Sequence, residues 1–171
     1  MVGIVVGSDS DLPVIRGAVE ALERFGIAYE VEIASAHRAP DRVAEYGRTA
    51  EARGLKVIIA GAGAAAHLPG VLAAHTALPV IGVPVAAGTL GGLDALLSIA
   101  QMPKGVPVAT VAVNGAFNAG LLAAQIIGAG DPAVRARIAA YKEELGRQVA
   151  AKTERLQALG LEGYLEAKGQ V

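Results

Sequence analysis

The chain contains no cysteine and no tryptophan, and only two Phe and four Tyr among its 171 residues. The first absence rules out a disulfide framework and a thiolate nucleophile. Aromatics make up 4% against 53% hydrophobic residues overall, so the core must be built from Ala, Val, Leu and Ile. Charge is sparse as well: 15 basic and 16 acidic residues leave a net charge of −1. There is no basic surplus to neutralise a nucleic-acid backbone, and no polybasic segment to hold a membrane surface. The histidines His37, His67 and His75 lack the His-Glu-x-x-His spacing of a zinc site, and no metal is expected.

Two long stretches, Val57 to Leu93 and Gly105 to Gly130, carry no Lys, Arg, Asp or Glu. Their length invites a membrane-spanning reading. Pro69, Pro79, Pro84 and Pro107, with many glycines, break them into short pieces. Strands covered on both faces by helices have the same composition, and that reading is preferred. Met1-Val2-Gly3-Ile4-Val5-Val6 lacks the basic flank and longer apolar core of a secretory signal. A cytoplasmic protein without membrane contact is expected.

Apolar runs predict strands over Val2–Val6, Tyr29–Ile33, Val57–Ala60, Pro79–Pro84 and Val108–Val113. Between them, helical spacing predicts helices beginning near Pro13, Pro40, Leu68, Leu93 and Asn114. Strict alternation implies right-handed crossovers and a parallel sheet. The expected fold is α/β: a flavodoxin-like three-layer sandwich with a five-stranded sheet in the order 2-1-3-4-5. Residues 1–171 are expected to form one domain, with the sheet within 1–130. A charged helical pattern over 131–159 follows, with Val134, Ile138, Tyr141, Leu145, Val149, Leu156 and Leu159 recurring along it. At 1.5 Å per residue it would span ~40 Å, more than a domain of this size, ~30 Å across. Packing of this helix on a neighbouring subunit is therefore expected. The tail from Gly160 shows no strong pattern.

The strand-to-helix loops all fall on the carboxyl edge of such a sheet, where ligands bind. Gly7-Ser8-Asp9-Ser10-Asp11 offers backbone N–H groups, two hydroxyls and a carboxylate at a helix start. It suits a phosphate, though capping by Ser10 or Asp11 explains part of it. Ser35-Ala36-His37-Arg38-Ala39-Pro40-Asp41 places a hydroxyl, an imidazole and a guanidinium on one turn. Imidazole titrates near neutral pH, and guanidinium forks onto phosphate or carboxylate. Gly61-Ala62-Gly63-Ala64-Ala65-Ala66 mimics a dinucleotide fingerprint, but it follows the third strand and no acid appears until Asp94. It allows close backbone approach to a ligand, and His67 behind it is either structural or part of the site. Asp94 reads as a helix-start acid, His75 as a surface residue, Asn114 and Asn118 as caps, and Phe117 and Tyr141 as packing residues.

Gly7-Ser8-x-Ser10-Asp11, Ser35-Ala36-His37-Arg38-x-Pro40 and Gly61-Ala62-Gly63-x-Ala65-Ala66-His67-Leu68-Pro69-Gly70 together resemble the N5-carboxyaminoimidazole ribonucleotide mutase family. This is the catalytic-subunit type of phosphoribosylaminoimidazole carboxylase. Gly82-Val83-Pro84-Val85, Ser98-Ile99-x-Gln101-Met102-Pro103 and Asn118-Ala119 extend the resemblance over about Val2 to Ile127.

The resemblance implies a purine-biosynthesis enzyme that moves a carboxylate from an exocyclic nitrogen to ring carbon C4. It implies no cofactor, neither ATP, metal nor biotin, and a homo-octamer. It assigns Ser10, Ser35 and Arg38 to the phosphate, Ser8 and Asp11 to the nucleotide, and His37 to general acid/base catalysis. Gly63, Ala64 and His67 fall among its substrate-binding positions. Direct carboxylation of the aminoimidazole ribonucleotide by carbon dioxide is the same-fold alternative, and a non-catalytic nucleotide-binding module the alternative from another class. The chain departs from the family at three places. Ala39 stands for a usual Thr, Ala64 for a usual Gly, and Asn114-Gly115 reverses a usual Gly-then-polar order.

Overall fold

Strand and helix alternate because short β-branched runs are each followed by a small or polar turn and a helix-start signal. The computed structural model describes residues 1–169. Its elements are β1 Val2–Val6, α1 Leu12–Arg24, β2 Tyr29–Ile33, α2 Pro40–Thr49, β3 Val57–Gly63 and α3 Leu68–His75. They continue with β4 Val80–Val85, α4 Leu93–Ala100, β5 Ala109–Thr110, α5 Ala116–Gly130 and α6 Pro132–Glu166. The sheet is parallel throughout, in the order β2-β1-β3-β4-β5, as the alternation requires.

Helices cover both faces. Ile4, Val6, Ile59 and Ile81 meet Ile15 and Leu22 of α1, Ala123 of α5 and Val134 and Ile138 of α6. Val5, Ile58 and Ala60 meet Val43 of α2, Leu72 of α3 and Ile99 of α4. Burying one such aliphatic side chain stabilises the fold by about 1.5–3 kcal/mol. With so few aromatics, close approach substitutes for bulk. A Cβ on Gly120 would lie 2.7 Å from both the Ala18 carbonyl oxygen and the Ala21 Cβ, so α5 lies directly on α1. Phe25, Phe117 and Tyr141 form an aromatic cluster beside this seam, in keeping with the reading of Phe117 and Tyr141 as packing residues.

Beyond shifts of one or two residues, three elements differ from the sequence reading. β3 runs three residues beyond Ala60, because Gly61, Ala62 and Gly63 still pair with Val83, Pro84 and Val85. Gly and Ala carry too little strand preference to announce this. β5 shrinks to Ala109–Thr110, an edge strand with a single neighbour; beyond it only isolated bonds remain, Val111 N–H to Gly82 and Asn114 N–H to Pro84. α6 continues past Gly160, where φ 66° and ψ 174° kink it, and reaches Glu166. Of the tail from Gly160, the last two residues lie outside the described ones. Among the described residues no helix is long and apolar enough to cross a membrane.

Crossovers from β1 and β3 leave in opposite directions. The loops that leave their paired carboxyl ends therefore diverge and open a crevice at the middle of the sheet.

Candidate active site

Loops after β1, β2, β3 and β4 converge on this crevice and enclose a cavity of about 430 Å³. Ser8, Ser10, Asp11, Ser35, His37, Arg38, Gly63, Ala64 and His67 all line it. The structure thus brings together every site residue expected from the sequence.

In the first loop Ser8 leaves β1 extended and caps a single 3-10 turn, Asp9–Asp11: its Oγ accepts the Ser10 N–H at 3.3 Å. Asp11 holds the cap position of α1 but makes no side-chain cap bond; the side-chain cap here is that of Ser8 on the 3-10 turn. The Ser10 hydroxyl donates to Ser8 Oγ at 2.9 Å, and Ser8 Oγ donates to Asp9 Oδ1 at 3.1 Å. Asp11 is 6% exposed, and among the described residues it is the one buried charged or polar side chain. Burial pushes its carboxyl above the ordinary value; the Ser8 backbone and Ser10 hydroxyl bonds pull it part of the way back.

In the second loop the Ala34 N–H extends the ladder to the Val6 carbonyl before the chain turns. Ser35 Oγ then accepts from the Arg38 backbone N–H at 3.3 Å and from Arg38 Nε at 3.4 Å. Arg38 Nη2 donates to the Gly7 carbonyl at 3.2 Å. These bonds aim the guanidinium, but among the described residues no carboxylate pairs with it. Its charge is available to an anion. Gly7, Ser8, Ser35 and Arg38 also line a neighbouring hollow of about 400 Å³ that reaches Asp9 and Ile33.

The third loop forms the apolar wall. A Cβ on Gly63 would lie 2.7 Å from the Ala87 Cβ, so glycine lets β3 and the loop after β4 close against each other. Ala64 sits at φ 52° in the left-handed region, which costs a non-glycine residue about 1–2 kcal/mol. Tight turns follow, with Ala66 N–H to Ala64 at 2.8 Å and His67 N–H to Ala65 at 2.7 Å. His67 then opens α3 without capping it. Its ring instead meets His37: His37 Nε2 and His67 Nδ1 lie 2.7 Å apart, with the ring planes 82° to one another.

Other candidates lie elsewhere. Asn114, at φ 58°, accepts the Ala86 N–H on its Oδ1 at 2.9 Å. It is not a side-chain cap on α5; it ties down the loop that carries Ala87. Asn118 is exposed on α5 and makes no cap bond. Asp94 stands in the first turn of α4 as expected, with Oδ1 buried and unpartnered. His75 packs on Gly47 of α2 and is only half-buried, outside the cavity. Of the walls, Ala36, Ala62, Ala65 and Leu68 lie in the loops read from sequence, and Ala87 alone comes from a loop not expected at the site. Small apolar residues carry no chemical signal, and only the topology brings Ala87 to the site. Among the described residues no group of three His, Asp or Glu is placed to hold a metal.

This arrangement offers an anion-binding end, a proton-carrying end and a close apolar wall. The AIR carboxylase family model matches residues 1–148. The chain belongs to the AIR carboxylase family. An N5-carboxyaminoimidazole ribonucleotide mutase of Thermotoga maritima is 59% identical over 98% of each chain. The one of Mycobacterium tuberculosis is 60% identical over 92% of this chain and 91% of its own. A solved structure of Treponema denticola PurE superposes with a TM-score of 0.80 at 28% identity, covering 91% of this chain and 97% of its own. In this AIR carboxylase family chain, Ser35, His37 and Arg38 share the loop after β2, and His67 reaches His37 from the loop after β3, across the switch point.

Proposed function

We propose that this family member is a purine-biosynthesis mutase that converts N5-carboxyaminoimidazole ribonucleotide into 4-carboxy-5-aminoimidazole ribonucleotide. The observation that carries the reading is one cavity holding His37, an Arg38 guanidinium that pairs with no carboxylate among the described residues, and an Ala/Gly wall. Ser10, Ser35 and Arg38 take the phosphate; Ser8 and Asp11 take the nucleotide, with Asp11 on a ribose hydroxyl. His37 is the general acid/base. As the N–C bond to the carboxylate breaks, His37 protonates the nitrogen that keeps the electron pair, and carbon dioxide leaves. Ring carbon C4 then attacks carbon dioxide, and His37 removes the C4 proton. Atoms balance and the protein ends as it began. Gly63 and Ala64 wall the released carbon dioxide from water, which suits a step that must recapture it.

The exposed stripe of α6 supports a homo-oligomer, and we take the octamer as its form. A biosynthetic enzyme acting on a free nucleotide also fits the cytoplasm. The decisive assay supplies the carboxylated substrate to wild type and to His37→Asn. Wild type should turn over, and the variant should lose about 10²–10⁴-fold in kcat, the range for a general acid/base. Turnover only with aminoimidazole ribonucleotide plus bicarbonate would replace the mutase reading by direct carboxylation. Unchanged turnover in the variant would remove His37 from the mechanism.

A further inference from the structure

We propose that Asp9 sets the strength of the phosphate end: its carboxylate is an internal anion that competes with a ligand's phosphate for the donors of the Ser8–Ser10 turn. The hydrogen bonds fix the direction of each hydroxyl proton in this turn. A carboxylate only accepts, so Ser8 Oγ gives its single proton to Asp9 Oδ1, at 3.1 Å. Toward Ser10 it can then only accept, and the Ser10 hydroxyl donates to it at 2.9 Å. The Ser10 N–H is shared between Asp9 Oδ1 at 3.0 Å and Ser8 Oγ at 3.3 Å. Two hydroxyl protons and one backbone N–H thus run toward a single carboxylate oxygen, two directly and one through Ser8.

Asp9 is exposed and lines the hollow of about 400 Å³ together with Ser35 and Arg38. Among the described residues no salt bridge joins it to Arg38. Its negative charge therefore stays at the mouth while the guanidinium stays open. A phosphate that reaches Arg38 and Ser35 meets attraction from one side and repulsion from the other. It must also turn the Ser10 hydroxyl away from Ser8, because a phosphate dianion accepts and cannot donate. Behind burial, the Asp9 charge adds to the raised pKa of Asp11, so its field reaches the nucleotide side of the cavity. Built-in repulsion of this kind gives up affinity for selectivity. Phosphate alone is left too weak a ligand to block the cavity, whereas a nucleotide that also engages Asp11 and the His37 turn binds despite it. Substrate and product carry the same phosphate, so the repulsion also hastens product release. This deepens the phosphate placement proposed above and rests on it.

The test titrates inorganic phosphate into the full-length protein by calorimetry, wild type against Asp9→Asn. Asparagine has the same shape and keeps an oxygen for the Ser8 and Ser10 donors, so only the charge is removed. The variant should bind phosphate about tenfold more tightly, the scale of one nearby unit charge screened by water. That gain should narrow as potassium chloride is raised. Arg38→Ala added to either protein should abolish the binding, which places the phosphate in this hollow. In the mutase assay KM of Asp9→Asn should fall by a similar factor with kcat within a few-fold, the pattern of an interaction felt equally by ground and transition states. Phosphate binding that is equal or weaker in Asp9→Asn overturns the proposal; a weaker one would make Asp9 an organiser of the donors instead. Tighter binding that survives Arg38→Ala overturns it too, as does a KM that does not fall. Failure of the mutase reading would show separately, as two proteins without turnover whose phosphate affinities nonetheless differ.

Discussion

Asp11 shows what the site costs the fold at the scale of one residue. Its carboxyl is buried beside the Ser8–Ser10 turn, and desolvation raises its pKa above 3.8. Below 3.8 the group is protonated in both folded and unfolded chains and costs nothing. As pH rises through the raised folded value, the folded chain must hold a buried charge that the unfolded chain solvates freely, and stability is lost. Asn cannot ionise. Asp11→Asn should therefore melt higher than wild type at neutral pH, with the gap closing as pH falls toward 3.8, in thermal melts over a pH series. It should also bind substrate more weakly, since it gives up the carboxylate proposed for the ribose. A wild type as stable as the variant at neutral pH would refute the desolvation account. Two other residues tie sequence departures to backbone strain. Ala64 and Asn114 stand where the resembling family usually has Gly, and both have positive φ, 52° and 58°. Asn tolerates that conformation through its short polar side chain; Ala has no such relief. The oddity of both positions was legible in the sequence, but its cause needed the backbone.

Among the elements, α2 carries the clearest weakness. It starts at Pro40, with Ala39 in the cap position at φ −142° and no side-chain bond to the first turn. Asp41 favours the helix dipole, but the free N–H groups of the first turn have no hydroxyl or carboxylate from the cap. Ala39→Thr should supply one and stabilise the protein by about 1 kcal/mol. In a chain of this length that is a rise of about 2–4 °C in Tm by calorimetry. An unchanged or lower Tm would mean that the cap geometry does not accept a hydroxyl. This weakness was visible in the sequence, as were the strand order and the helix starts at Pro40 and Leu68. Two of the missed boundaries share a cause: β3 ends and α6 kinks in Gly- and Ala-rich sequence, where neither periodicity nor propensity speaks; β5 instead stops short in Val-rich sequence, where it pairs with β4 alone. The His37–His67 contact was hidden for another reason. The two residues are 30 apart in sequence and meet because β1 separates β2 from β3 at the switch point, a property of the sheet and not of either loop.

For the whole molecule, α6 is the part the domain does not explain. Its first turns are anchored: Val134 and Ile138 are buried, Arg137 donates to the Phe25 carbonyl at 2.8 Å, and Arg24 pairs with Glu144. From 145 to 162 every residue is exposed. Yet Leu145, Val149, Leu156, Leu159 and Leu161 lie in that segment, with Val149 and Leu161 each 62% exposed. Leu145, Val149, Leu156 and Leu159 follow helical spacing and share one side of the helix. An isolated helix turning such a stripe to water has little to hold it, since most helical stability comes from packing an apolar face. Its length points the same way, because about 18 residues at 1.5 Å carry it some 27 Å from its anchor. A second copy of the chain, covering the stripe, accounts for both. Wild type should sediment as a multiple of the 17.2 kDa chain. Val149→Glu with Leu156→Glu should shift it to smaller species, while the fold, anchored at Val134 and Ile138, keeps its circular dichroism. An unchanged mass in sedimentation equilibrium would remove α6 from the interface and leave assembly to another face. If loops of neighbouring copies also help to hold the exposed His37 turn, the dissociated variant should lose activity along with mass, and raising its concentration should restore both together.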